Sequence, residues 1–303
     1  MVAEQRDVVI IGAGPAGLQA AVHAVRKKAS AVIAGRIEKS SLFRAHVENY
    51  LFVDGVQEGG DLLQLGLGQA LRFGAGHVAE DVLKIEQKED LFVVSVESGR
   101  QFSASALIFA TGTSRKKLKV PGEKELAGKG VSYCVDCDAN FYRGVPVAVV
   151  GNESAAVDGA LTLLNYASEV FLVSRELSVS AELLARLENS RVMVRQGAWV
   201  REIAGDKAVT ALVLEDDTRL AVEGVFIELG AKGAIELATS LGVMLDQESF
   251  THIDTDKKQH TNIPGVFAAG DIAGRPYQVA KAVGEGCVAG WEAANYALKK
   301  KRG

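Results

Sequence analysis

The sequence predicts an α/β fold built as two nested Rossmann-like, three-layer dinucleotide-binding domains, and three observations carry that reading. A short apolar run leads into Gly12-Ala-Gly14-Pro-Ala-Gly17 and then into an Ala-rich segment of helical character. The same order returns at Val147–Val150, Gly151-Asn-Glu153-Ser-Ala-Ala156 and Val170–Val173, which marks a repeated nucleotide-type unit. The chain has 303 residues, 32 of them glycine, and only 6% aromatic residues. That is the length of two ordinary domains and the composition of many tight strand-to-helix turns.

The elements follow in order. Asp7–Ile11 reads as a buried strand, the helix after it extends to about Lys28, and Ala31–Ala34 is a second strand, which completes a βαβ unit. Val82–Gln87 and Leu91–Val96, split by Glu89-Asp90, read as antiparallel strands, and Ala106–Gly112 returns to a buried one. In the repeat the helix reaches about Tyr166, strands follow at Val209–Leu214 and Arg219–Val222, and Val225–Gly230 closes the unit as Gly112 closes the first. No third fingerprint appears. Ile263–Asp271 instead gives one more strand and Gln278–Lys299 a long helix, so this tail completes the first domain. The expected division is 1–117 with 231–303 around an inserted 118–230, with crossings near Ser114–Val120 and Gly230–Gly233.

A net charge of −4 implies no nucleic-acid partner. No run of about 18 apolar residues is present, which argues against a membrane span. Met1–Asp7 runs straight into a strand, and two of the three cysteines are spaced C-x-x-C rather than as a secreted framework. A cytoplasmic protein is expected.

Gly12, Gly14 and Gly17 have the strand–turn–helix context that a dinucleotide site requires. Gly12 allows the tight turn, Gly14 lets backbone amides approach a pyrophosphate, and Gly17 lets the helix pack on the sheet. The helix N-terminus favours the phosphate charge. Glu38 is the nearest acid to the end of the second strand and the candidate for the ribose, although it falls past the strand.

Cys134-Val-Asp-Cys137 is a redox dithiol pattern, since two cysteines two residues apart form an easily reduced disulfide. The alternative, half of a zinc site, needs two more ligands at matched spacing, and neither Cys287 nor the five histidines supply them. No metal is therefore expected. Cys287 reads as a buried residue of the last helix.

With Gly12–Gly17, Val47-Glu-Asn49-Tyr, Ala110-Thr111-Gly112, Cys134-Val-Asp-Cys137-Asp138 and Gly265-Val-Phe-Ala-Ala-Gly270-Asp271 in order, the chain resembles the low-molecular-weight thioredoxin reductases over nearly its whole length. The resemblance implies FAD, held by the first fingerprint, Thr111-Gly112 and Gly270-Asp271, with Asp271 accepting from the ribityl chain and Asn49 and Gln278 lining the flavin. It also implies that Cys137 receives electrons from the flavin and that Cys134 forms the mixed disulfide with thioredoxin or a similar dithiol protein. Asp138 would shuttle the proton, with a raised pKa. Lys129 and Phe141 fall where the family contacts thioredoxin, and a homodimer is implied. Ser40-Ser-Leu42 replaces the family's Gly-Gly-Gln, and Tyr277-Gln278 shortens its Tyr-Arg-Gln.

The second fingerprint departs further. The family reads Gly-x-Gly-x-x-Ala there and binds the pyrophosphate of NADPH; here the middle position is Glu153. An anion against an anion at about 4 Å and an effective dielectric near 20 costs on the order of 4 kcal/mol, close to a thousandfold in affinity. The family's His-Arg-Arg for the 2′-phosphate becomes Ser174-Arg175-Glu176, and its further Arg aligns with Ser180. The expected donor is therefore not NADPH, and the chain resembles the ferredoxin-linked members of the family, with a reduced deazaflavin or NADH as other donors. Arg26-Lys27-Lys28 and Arg115-Lys116-Lys117 with Lys119 are candidate cations for an acidic ferredoxin. Lys299–Arg302 is expected to extend and solubilise the last helix. Two competing readings are a dithiol oxidase passing electrons to oxygen from a small dithiol, and a non-catalytic flavin redox sensor.

Overall fold

The computed structural model describes residues 3–113, 117–230, 233–248 and 250–302. Two compact units emerge: Met1–Thr113 with Leu237–Gly303, and Ser114–Glu236. Of the expected crossings, Ser114–Lys116 and Ala231-Lys232 lie outside the described residues.

The first unit begins β1 (Glu4–Ile11), α1 (Pro15–Arg26), β2 (Ala31–Ala34). A short hairpin, β3 (His46–Val47) with β4 (Gln57–Glu58), precedes α2 (Gly59–Arg72) and β5 (Gly76–Val78). Then come β6 (Val82–Lys88), β7 (Leu91–Val96) and β8 (Gln101–Phe109). β1 pairs in parallel with both β2 and β8, while β6, β7 and β8 form an antiparallel run. Val8 to Ile11 are buried on both faces of the sheet, as a central parallel strand requires. Val8, Ile10, Ala31, Ile33, Ala106 and Ile108 share the face beneath the helices. α1 ends at Arg26 rather than Lys28, because Lys28 has left the helix at φ +72°.

The second unit holds β9 (Val131–Ser132), the single-turn α3 (Val135–Asp138), β10 (Pro146–Val150), α4 (Ser154–Leu163), β11 (Glu169–Ser174), α5 (Ala181–Glu188) and β12 (Met193–Gln196). β13 (Val200–Gly205), β14 (Val209–Leu214) and β15 (Arg219–Leu220) form a small antiparallel sheet, and β16 (Gly224–Ile227) returns to the parallel one. The parallel order is β12-β11-β10-β16-β9. Ala148, Val150, Val173, Val225 and Ile227 pack against Val200, Ile203, Leu212 and Leu214 of the antiparallel sheet. α4 ends at Leu163, three residues before the expected Tyr166.

α6 (Ala234–Thr239) leads back to the first unit, where β17 (Val266–Ala268) joins β8 in parallel and α7 (Val279–Arg302) follows. α7 lies against α1 at backbone distance. A Cβ on Gly286 would sit 2.2 Å from the Ala16 carbonyl oxygen, and one on Gly290 2.2 Å from that of Ala20. Cys287 on this helix is half-buried rather than buried. No described helix is long and apolar enough to cross a membrane.

Candidate active site

Three segments of the first unit converge on the end of β1. A Cβ on Gly12, at φ +109°, would lie 2.3 Å from the Ala110 carbonyl oxygen and 3.0 Å from Thr111 Cα. Gly12 therefore abuts the Ala110-Thr111-Gly112 turn that ends β8. A Cβ on Gly17 would fall 1.9 Å from the Gly12 carbonyl oxygen, so both residues must be glycine for the fold itself. Gly270, at φ +83°, faces Ala16 of the first turn of α1, and its N–H donates to Glu285 at 2.8 Å. Lys281 Nζ donates to the carbonyls of Gly270 (2.8 Å) and Gly274 (2.6 Å) and pairs with Glu285 at 3.0 Å, which clamps the Asp271 turn to α7. Burial pushes Asp271 above the usual carboxylate range, Lys281 opposes that, Glu285 adds to it, and His252 opposes it.

Gly14 differs from its two companions. It caps α1 in extended backbone with no side-chain bond to the helix amides, and a Cβ there would meet only Ser40 Oγ, at 3.4 Å. The helix end thus presents N–H donors across open space, which is the cradle that a pyrophosphate needs. Asn49 Nδ2 donates to Gln278 Oε1 at 3.0 Å across 229 residues, joining the two side chains expected beside the flavin. The residues present fit FAD. Glu38 sits exposed in a 3-10 turn, Ile37–Lys39, and makes no printed contact with this group.

In the second unit Cys134 and Cys137 form a disulfide. Cys134 caps α3 and its sulfur accepts from the Cys137 N–H at 3.2 Å. Cys134 is only 6% exposed, whereas Cys137 is exposed. Ser132 ties the motif together: its hydroxyl donates to Asp138 Oδ2 at 2.7 Å and accepts from the Cys134 N–H at 3.1 Å. Asp138 is thereby held beside the dithiol by a residue the sequence reading passed over. Burial, and then the Asp138 carboxylate, push the Tyr142 phenol upward. Phe141, next to it, is 82% exposed, and Lys129 is exposed as well. Among the described residues no three His, Cys, Asp or Glu side chains are grouped to hold a metal.

The second βα turn places Glu153 at the cap of α4, in the extended backbone that Gly14 has at the cap of α1. Asn152 Oδ1 accepts from Ser174 Oγ at 3.0 Å and from the Arg175 N–H at 3.1 Å, and the Asn152 carbonyl accepts from Ser178 at 2.8 Å. The surviving Arg175 pairs with Glu215 at 2.9 Å and lies over Trp199. Ser174 is fully buried, and Ser180 caps α5 through the Leu183 N–H. Of the cationic clusters, Arg115 and Lys116 lie outside the described residues, while Arg26 and Lys27 share a surface hollow with Lys299 and Arg302.

A family model described as pyridine nucleotide-disulphide oxidoreductase matches residues 6–286. A thioredoxin reductase of Listeria innocua is 34% identical over 307 residues, covering 97% of this chain and 95% of the relative. The crystal structure of an atypical thioredoxin reductase from Desulfovibrio vulgaris Hildenborough superposes with a TM-score of 0.85 at 36% identity, covering 97% of this chain and 99% of that one. A ferredoxin-flavin thioredoxin reductase from Clostridium acetobutylicum gives a TM-score of 0.71 at 31% identity, over 98% of this chain and 100% of that one.

Proposed function

This chain belongs to the pyridine nucleotide-disulphide oxidoreductase family, and we propose that within it the protein reduces thioredoxin or a similar dithiol protein with electrons from a donor other than NADPH. It is a flavoprotein disulfide oxidoreductase whose cofactor is FAD. Bound there, FAD supplies a two-electron carrier that matches a dithiol. The carrying observation is the Cys134–Cys137 disulfide with Asp138 fixed beside it through Ser132.

In the proposed relay Cys137 takes the electrons and Cys134 forms the mixed disulfide, with Asp138 moving the proton. Because Cys134 is buried, this order requires the 133–138 segment to turn that sulfur outward once the disulfide opens. Exposed Phe141 and Lys129 supply an apolar anchor and a cation for the incoming protein. A homodimer is part of the proposal, on the family likeness alone.

The donor reading rests on Glu153, Ser174, Glu176 and Ser180. The residues of the second turn do not fit NADPH: a carboxylate stands where the pyrophosphate would approach, and the one remaining arginine is engaged by Glu215. Ferredoxin is the favoured donor, supported by the likeness to the ferredoxin-flavin enzyme. The Arg26/Lys27/Lys299/Arg302 cluster is at the far end of α7 from Gln278, about 30 Å along a helix of this length. It can attract an acidic donor but cannot be where electrons enter a ring beside Gln278. An anaerobic titration of the flavin band with NADPH, NADH and reduced ferredoxin in turn tests the proposal. Reduction by ferredoxin with turnover of thioredoxin supports it, and rapid reduction by micromolar NADPH removes the donor assignment.

A further inference from the structure

A buried carboxylate lies directly behind the dithiol. Glu228, just past β16, is 7% exposed, and its Oε1 accepts from the N–H of Val135, the amide that follows Cys134, at 3.3 Å. By covalent geometry the Cys134 sulfur is then no more than about 10 Å from that oxygen. The two share a small cavity of about 10 Å³ lined by Val135, Asp136, Ala155, Asp158, Glu228 and Glu236, with Gly159 at its wall. Gly159 is required by the packing, since a Cβ there would sit 2.9 Å from a Val135 methyl carbon. No lysine, arginine or histidine lines it. The charged groups around the dithiol are therefore Glu228 from β16, Asp136 and Asp138 from α3, Asp158 from α4 and Glu236 from α6, all acids, with the Tyr142 phenol beyond Asp138.

We infer that Glu228 is a positioning residue that sets the redox poise of the Cys134/Cys137 couple, anchoring the α3 turn through the Val135 amide while its negative charge keeps the reduced couple in the thiol form. The inference rests on the reading of Cys134–Cys137 as the redox dithiol. Reduction of the disulfide takes two electrons and two protons and gives two thiols; further loss of a proton gives a thiolate. A nearby anion opposes that last step and so raises the thiol pKa. Stabilising thiolate stabilises the reduced form and makes a couple more oxidising. An anion behind the dithiol therefore makes it a stronger reductant, which suits a protein that must hand electrons on.

Glu228→Gln keeps an oxygen to accept from Val135 and removes the charge. The test equilibrates the FAD-containing protein with dithiothreitol redox buffers from pH 6 to pH 10 and counts free thiols by alkylation and mass. It needs neither electron donor nor thioredoxin, so a failed donor assignment would leave it intact. In Glu228→Gln the alkylation profile should move to lower pH by about one unit, roughly tenfold in thiolate at pH 7. The equilibrium constant should favour the dithiol by up to about tenfold, or about 30 mV, above the thiol pKa and coincide with the unmodified protein below it. A purely structural role predicts an offset of the same size at every pH, and no change at all is the outcome of an uncharged Glu228; either result overturns the inference. Should Glu228→Gln not fold, Asp158→Asn, on the same cavity, must shift the profile in the same direction by a smaller amount, and an unmoved profile there is equally fatal.

Discussion

The two βα turns of this protein began from one pattern and kept different parts of it. In the first, Gly12 and Gly17 avoid collisions with Ala110 and with each other's backbone, while Gly14 has only Ser40 Oγ at 3.4 Å and open space beyond. In the second, Gly151 is still glycine, because a Cβ there would lie 2.0 Å from the Glu228 carbonyl oxygen, and Ala156 packs beside it. The middle position alone has become Glu153. The glycines needed by the fold survive in both turns, and the one needed by a ligand survives in one. The difference separates packing constraint from binding constraint within a single motif.

The largest effect expected lies where the second unit has kept its chemistry. Cys134→Ser and Cys137→Ser should each abolish disulfide reduction while the protein stays yellow. Cys134→Ser should also leave a Cys137 thiolate that perturbs the flavin spectrum, and the opposite variant should not. Identical spectra would remove the assignment of roles, and a colourless product would show that the dithiol unit is not independent of the FAD turn.

Gly14→Glu transplants the second turn's acid into the first. With φ −82° any residue fits the backbone there, so the fold should persist by circular dichroism while FAD affinity falls about a thousandfold, from the same charge argument. Gly17→Ala should do the reverse. Its Cβ would land 1.9 Å from the Gly12 carbonyl oxygen, and the expected loss is about 1–3 kcal/mol of stability, read from urea unfolding. If both variants lose stability equally, the division between packing and ligand glycines fails.

How much of this was readable in the sequence depends on whether the constraint is local. Val8–Ile11 and Val147–Val150 announce themselves as buried runs flanked by glycine, and Val82–Lys88 with Leu91–Val96 as a hairpin around Glu89-Asp90. α2 did not, because Gly59, Gly60, Gly66 and Gly68 depress helix propensity; the helix is held by tertiary contact, with Gly66 close to Leu18 of α1. The C-x-x-C is a local motif and was plain. Ser132, Lys281, Glu285 and Glu228 were not. Glu228 meets Val135 from 93 residues away, and no spacing rule connects them. Ser132 lies six residues from Asp138, near enough to suspect but with nothing in its type to mark it.

The cofactor end of the comparison can be sharpened with pH. Asp271 has a raised pKa in the folded chain, from burial first. Such a group binds its proton more tightly when folded, so its contribution to the apoprotein's stability is fully present below the unfolded value of 3.8 and is lost as pH rises through the raised one. Flavin retention should slope the other way, because only the ionised carboxylate is a full acceptor for a ribityl hydroxyl. Fluorescence of released flavin between pH 7 and pH 4 should show affinity falling by about tenfold per unit once below that pKa. Asp271→Asn should flatten the profile. A slope that survives in Asp271→Asn would assign the effect to another group.

The smallest effect is expected from Glu153→Gly, although it repairs the most conspicuous defect of the second turn. Removing the carboxylate takes away a repulsion on the order of 4 kcal/mol but adds no cation for a 2′-phosphate. Each absent charge-assisted contact is worth about 1.5–3 kcal/mol, and Arg175 remains tied to Glu215 and stacked on Trp199. The other departures have since been absorbed by the fold. Ser174 is fully buried and bonded to Asn152, and Ser180 caps α5. Glu153→Gly alone should therefore change flavin reduction by micromolar NADPH only a few-fold. Adding Glu176→Arg and Ser180→Arg should raise it much further, at about 1 kcal/mol of stability for the lost cap. Penalties that act at separate points add, so full recovery from the single change would mean that Glu153 alone had closed a site otherwise still built for NADPH.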